Sequence, residues 1–173
     1  FTTTKSNADT SGIGLKNKTT TQFYNTTTAF NSLINISSDA NYAYFLNSYS
    51  GEETDGYDVM IRVNLSNQVI DNSTPIETDT VGGNSMSLER IDDNHFLKAY
   101  SKGDSSGGRL MIMETNISNM SVINLTSYAF SSLRGKANSL KKHNTTHYAL
   151  AFDGAATNGT IMLFAVDTNA WTI

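Results

Sequence analysis

Three histidines, a few clustered acids and four arginines are the side chains here with chemistry to offer. His95 and His147 stand in NHFLKAYS (94–101) and THYALAF (146–152), each in the pattern His, aromatic, two residues, Ala, aromatic. His143 stands alone. Neutral imidazole serves as a metal ligand or a general base. Yet a histidine repeated at a repeated position, and replaced by Tyr44 in an earlier copy of the pattern, points to packing or hydrogen bonding instead. The acids gather at Glu52, Glu53, Asp55 and Asp58, with Asp104 and Asp153 in matching stretches. Calcium takes six to eight oxygens, and the first cluster could supply several. No stretch has the spacing of an EF-hand or a nonapeptide calcium repeat, so these acids read as solvated hairpin turns. Nucleophile elbow, phosphate loop and HExxH are all missing, and nothing singles out a carboxylate pair for glycoside hydrolysis. The expectation is a protein that is not an enzyme and carries no cofactor, N-linked glycans aside.

Composition narrows the class. The chain has 173 residues, enough for one domain with a core. Its 12 Lys and Arg against 16 Asp and Glu leave a net charge of −4. No basic cluster exceeds Lys141-Lys142, so nucleic acid is not expected as a partner. The longest apolar run, Ile161–Val166, is of strand length and far short of the roughly 20 residues that cross a bilayer. Cysteine is absent, which removes disulfides and thiolate chemistry. The first residue is Phe1, read as a mature terminus or a cut within a longer protein.

Asn-X-Ser/Thr occurs at Asn17, Asn25, Asn35, Asn64, Asn72, Asn116, Asn119, Asn124, Asn144 and Asn158, ten of the nineteen asparagines. With Ser and Thr at about a quarter of the chain, chance gives about five such motifs. The excess points to N-glycosylation and an extracellular or cell-surface location, where bulky sugar solubilises the chain.

The repeated histidine belongs to a larger repeat. Ser87-Leu88 through His95-Phe96 aligns with Ser139-Leu140 through His147-Tyr148 at an offset of 52, continuing through Ala99/Ala151, Tyr100/Phe152 and Gly107/Gly159. An earlier copy begins at Ser32-Leu33 with about four extra residues, then runs through Tyr44-Phe45, Gly56 (against Gly107), Val59 (against Leu110) and Ile61 (against Ile112). Each copy holds a short strand near Leu33, Leu88 or Leu140 and an aromatic strand (42–49, 95–101, 147–152). A Gly/Asp/Ser turn leads to an apolar strand (59–63, 110–113, 161–166), and a last strand follows (68–70, 121–124, 171–173). Alternation such as Val59-x-Ile61-x-Val63 is the two-residue period of a half-buried strand. The expected fold is all-β.

Four short strands in about 52 residues match the blade of a β-propeller. The stretches IDDNHFLKAYSKGDSSGGRLMIME and HNTTHYALAFDGAATNGTIMLFAVDTNAWTI resemble the repeats of secreted and surface β-propeller proteins. That resemblance implies about three tandem four-stranded repeats, arranged as a partial repeat over 1–30, repeats over 31–85 and 86–137, and a partial repeat over 138–173. A β-sandwich is the alternative. Asp55-Gly56 and Asp104-x-x-Gly107 resemble the Asp-box turns of sialidase propellers only faintly. They lack the closing aromatic, and Arg62, Arg90, Arg109 and Arg134 are the only arginines for a sialidase cluster.

Propellers close with about four to eight blades. The expectation is therefore self-association into an oligomer or fibre, by strands near Thr19–Phe30 and Trp171–Ile173 completing a neighbour's sheet. The expected role is structural. The alternative is a carbohydrate-binding or adhesive module that stacks Tyr57, Tyr128 or Trp171 on sugar rings.

Overall fold

A computed structural model describes residues 3–5, 19–21, 29–51, 54–102, 107–132, 135–154 and 158–173. The chain is all-β, and no helix occurs among the described residues. A short pair, β1 (Thr3–Lys5) and β2 (Thr19–Thr21), runs antiparallel. Three larger antiparallel sheets then follow in chain order. The first holds β3 (Ala29–Ser38), β4 (Tyr42–Ser50), β5 (Gly56–Asn64), β6 (Ile70–Asn72) and β7 (Ile76–Asp79). The second holds β8 (Asn84–Arg90), β9 (His95–Ser101), β10 (Gly108–Asn116) and β11 (Ser121–Ser131). The third holds β12 (Lys136–Lys142), β13 (His147–Asp153) and β14 (Gly159–Ala165).

In each sheet, strands adjacent in space are consecutive in sequence, with one exception. Both β6 and β7 pair with β5, through Ile61↔Asn72 and Asp58↔Ile76. Pro75 explains the break between them, because a residue without an N–H cannot continue the ladder. Sequence patterning had placed this strand at 68–70 alone. It had likewise stopped the next last strand at 124, whereas β11 runs to Ser131 past an irregularity opposite Ile112/Met113.

Pairing also corrects the alignment of the copies. Gly108 lies opposite Ser101 and Gly159 opposite Asp153, so the partner of Gly159 and of Gly56 is Gly108 rather than Gly107. Leu33 and Leu88 pair with Asn47 and Lys98, which in turn face Val59 and Met111. Val59 thus matches Met111, not Leu110, and Asp58 takes the place of Leu110. Adjacent glycines and an unequal turn length hide a one-residue slip from inspection, although such a slip reverses every side chain's face. The four extra residues of the first copy lengthen both arms of the β3–β4 hairpin.

The same turn closes every first hairpin. The Asp39 carboxylate accepts from the N–H groups of Asn41 and Tyr42 (2.7 and 2.8 Å), and Asp92 accepts from Asn94 and His95 (3.1 and 2.9 Å). The Asn144 amide oxygen accepts from Thr146 and His147 (3.0 and 2.8 Å). Asx residues favour turns through these bonds. A second recurrent turn puts Gln68, Met120 and Trp171 at φ of 61°, 55° and 51°. Thr172 bridges to Asp167 there as Ser121 pairs with Asn116. Of the strand expected at 171–173, only this bridge forms.

The three sheets stack in series through two cores. Ile36, Leu46 and Met60 of the first sheet bury against Leu88, Phe96 and Met113 of the second. Leu97, Leu110 and Ile112 on the opposite face of the second bury against Leu140, Tyr148 and Leu150 of the third. Each fully buried side chain of this size contributes about 1.5–3 kcal/mol.

Candidate functional site

The histidines do not converge. The His95 ring stacks on Trp171 with centroids 3.7 Å apart, and its Nδ1 lies 2.8 Å from an Asp92 carboxylate oxygen. His147 and His143 are exposed, the former against Asn144 and Thr146. Among the described residues no group of three or more His, Cys, Asp or Glu could hold a metal ion.

Burial works against the Asp92 charge, but the N–H groups of Asn94 and His95 and the His95 ring hold its carboxyl below the usual range. A depressed carboxyl stabilises the fold above its unfolded value of about 4, and that contribution disappears as pH falls through the folded value. Asn144 makes the same turn without a charge. Asp92→Asn keeps the turn but loses the charge, so it should lower the denaturation midpoint modestly at pH 7 and flatten its decline below about pH 4. Urea titrations from pH 3 to 7 check this, and an unaltered acid slope would remove Asp92 from the account.

The acidic cluster read from sequence is divided. Glu52, Glu53 and Asp104 lie outside the described residues, as does Arg134. Asp55 is half-buried, and Asp153 ends β13. Asp58 is not in the turn at all. Strand alternation carries it inward, between the first and second sheets, where it and Lys98 are both fully buried. Lys98 Nζ donates to both Asp58 oxygens and to Thr78 Oγ1, each at 2.9 Å, and the Ser48 hydroxyl also donates to Asp58. Beside it the Tyr100 hydroxyl donates to Asp79 (2.9 Å), and burial together with that carboxylate raises its pKa well above the ordinary value. Lys98 was legible as the one charge among Phe96, Leu97, Ala99 and Tyr100 in an apolar strand, and sequence reading passed over it.

Of the aromatics proposed for sugar stacking, Tyr57 stacks on Tyr49 and Trp171 on His95, while Tyr128 is exposed. A cleft of about 730 Å³ opens between the first and second sheets, lined by Asn35, Arg90, Asp93, Glu114 and Asn116 among others. Two sequon asparagines thus stand in its wall.

Asn17 and Asn25 lie outside the described residues. Of the other eight sequons, Asn35, Asn116, Asn119, Asn124, Asn144 and Asn158 are exposed, and Asn64 and Asn72 half-buried. Strand direction puts Asn35, Asn64, Asn116, Asn119 and Asn144 at one rim, where the β3–β4, β5–β6, β8–β9, β10–β11 and β12–β13 turns lie. At the opposite rim, among the described residues, stands only Asn158. In three sequons the hydroxyl donates to the asparagine's own amide oxygen: Ser66 to Asn64 (2.8 Å), Ser118 to Asn116 (2.6 Å) and Ser121 to Asn119 (2.7 Å).

The third sheet has an uncovered face. Ile161 and Leu163 on β14 are 74% and 76% exposed, while Leu110 and Ile112, their counterparts on β10, are 0% exposed beneath the next sheet. Among the described residues β14 is also an edge, without the outer neighbour that β11 gives β10. At the other side of the molecule Leu33 is 59% exposed, against 7% for Leu88 and 0% for Leu140. Among the described residues no helix is long and apolar enough to cross a membrane. The chain matches no family model, no curated protein and no solved structure.

Proposed function

We propose that this chain is a non-enzymatic, extracellular, N-glycosylated structural protein. In this reading its sheets are propeller-like blades, and copies associate head-to-tail into a fibre or surface layer. The observation that carries the proposal is the bare face and edge of β14. Exposed apolar ridges on soluble proteins mark contact surfaces, and an unpaired strand edge is a template for another strand. Sugar along one rim would keep such assemblies apart sideways. The scattered histidines and the paired Asp58 and Lys98 fit a scaffold better than a reaction centre. Because Tyr57 and Trp171 are engaged in packing, little aromatic surface is left for a lectin.

Electron microscopy of the protein, native and enzymatically deglycosylated, tests this directly. Regular fibres or sheets are the expected result. Discrete particles in both preparations would defeat the structural reading, and retention of those particles on glycan arrays would establish the adhesive one.

A further inference from the structure

Two interfaces inside the molecule are built by one set of contacts. At the first, the Leu88 N–H donates to Ser32 Oγ (3.2 Å), and the Arg90 guanidinium donates to the Ile36 carbonyl. At the second, the Leu140 N–H donates to Ser87 Oγ (3.1 Å), and the Lys142 ammonium donates to the Ile91 carbonyl. Ser32, Ser87 and Ser139 are counterparts in pairing register, as are Leu33, Leu88 and Leu140. One half of this set remains open on the third sheet, in exposed Ser139, Ile161 and Leu163. On the first sheet the matching Leu33 is exposed, whereas Asn47, Tyr49 and Val59, the counterparts of Lys98, Tyr100 and Met111, are already buried. The open part of that half is therefore the β3 edge.

Both open halves belong to the same chain, so a second copy supplies the match. We propose that the outward face of the third sheet seats the β3 edge of a second copy, with Ser139 Oγ accepting the N–H of that copy's Leu33. This rests on the assembly reading above and names its contact. The two surfaces differ, so the contact is head-to-tail and propagates unless a rotation closes it. Asn35 stands where Arg90 and Lys142 stand, at the seam itself. A glycan on Asn35 fills that seam, and the contact forms on copies bare at this position.

The test uses the full chain made without glycosylation, in wild-type form and as Leu33→Glu and Leu163→Glu. Both positions are exposed, so the fold should survive, and circular dichroism checks this. In sedimentation velocity, wild type should form oligomers and each variant should remain monomeric. Their equimolar mixture should give a dimer, through the one intact Leu33 edge and the one intact Leu163 face. Full-size assemblies from either variant, or a mixture that stays monomeric, would overturn this contact while leaving self-association standing. A wild type that is monomeric at all concentrations would instead overturn the assembly reading. In glycosylated protein, Asn35→Gln should move assembly to roughly tenfold lower concentration, and an unchanged threshold would refute the role given to Asn35.

Discussion

Lys98→Met is expected to destabilise the protein by about 3–5 kcal/mol, because it strands the Asp58 carboxylate, buried and without its cation. Asp58→Ala should cost a similar amount by stranding the ammonium. The double change Asp58→Leu with Lys98→Leu should recover most of the loss, and replacing a whole buried pair by apolar groups often adds about 1–4 kcal/mol of stability. The molecule supplies its own precedent. Leu110 and Leu150 are the counterparts of Asp58 and Lys98 in pairing register, and both are fully buried in the next interface. The fold thus solves one position twice, once with charge and once with hydrocarbon. Thr78 has an alternative if the charges go, since its hydroxyl also reaches the Gly56 carbonyl (3.1 Å). Urea denaturation of wild type, Asp58→Leu, Lys98→Leu and the double change gives the coupling energy directly. A single substitution costing under about 1 kcal/mol would mean that the pair is not desolvated in solution.

The second large effect concerns glycine pairs. A Cβ at Gly83 would lie 2.3 Å from the Gly56 Cα, and one at Gly135 would lie 2.4 Å from the Gly108 Cα. These are backbone atoms within strands or beside them, with no flexible end to swing aside. Gly83→Ala and Gly135→Ala should each cost about 3 kcal/mol, at the upper end of ordinary overpacking. Gly159 occupies the same place as Gly56 and Gly108, yet a Cβ there meets nothing within 4 Å. Gly159→Ala should therefore stay within about 0.5 kcal/mol of wild type. Thermal or chemical denaturation of the three variants separates the cases. Equal losses at Gly135 and Gly159 would show that close approach does not set the cost.

The repeat was readable because its signals are local. Ser-Leu openings, Asx turns before Tyr42, His95 and His147, and alternating apolar residues each act within a few positions. From these the strands β3–β5, β8–β10 and β12–β14 follow closely. Other features depend on what lies across an interface. Strand β7 resumes only because β5 continues past Pro75 and offers it a partner. The place of Gly108 required knowing what it opposes. Asp58 sits among acids in sequence, and only the facing sheet makes it the partner of a lysine 40 residues away. Trp171, a sugar-stacking candidate in the alternative reading, instead has a left-handed backbone and a ring packed on His95.

The agreement between strand order and chain order also governs how this protein reaches its fold. Each large sheet closes from consecutive segments joined by short turns, so the entropy lost in closing any one loop is small. All-β domains that must join distant segments fold slowly for want of this economy. Here a sheet can form while the remainder of the chain is still disordered, and each later sheet condenses on the one before it. Stability in such arrays is approximately a sum over units and their junctions. Opening therefore begins at the two outer sheets, each with one neighbouring large sheet, and the second sheet, held on both faces, is the last to yield.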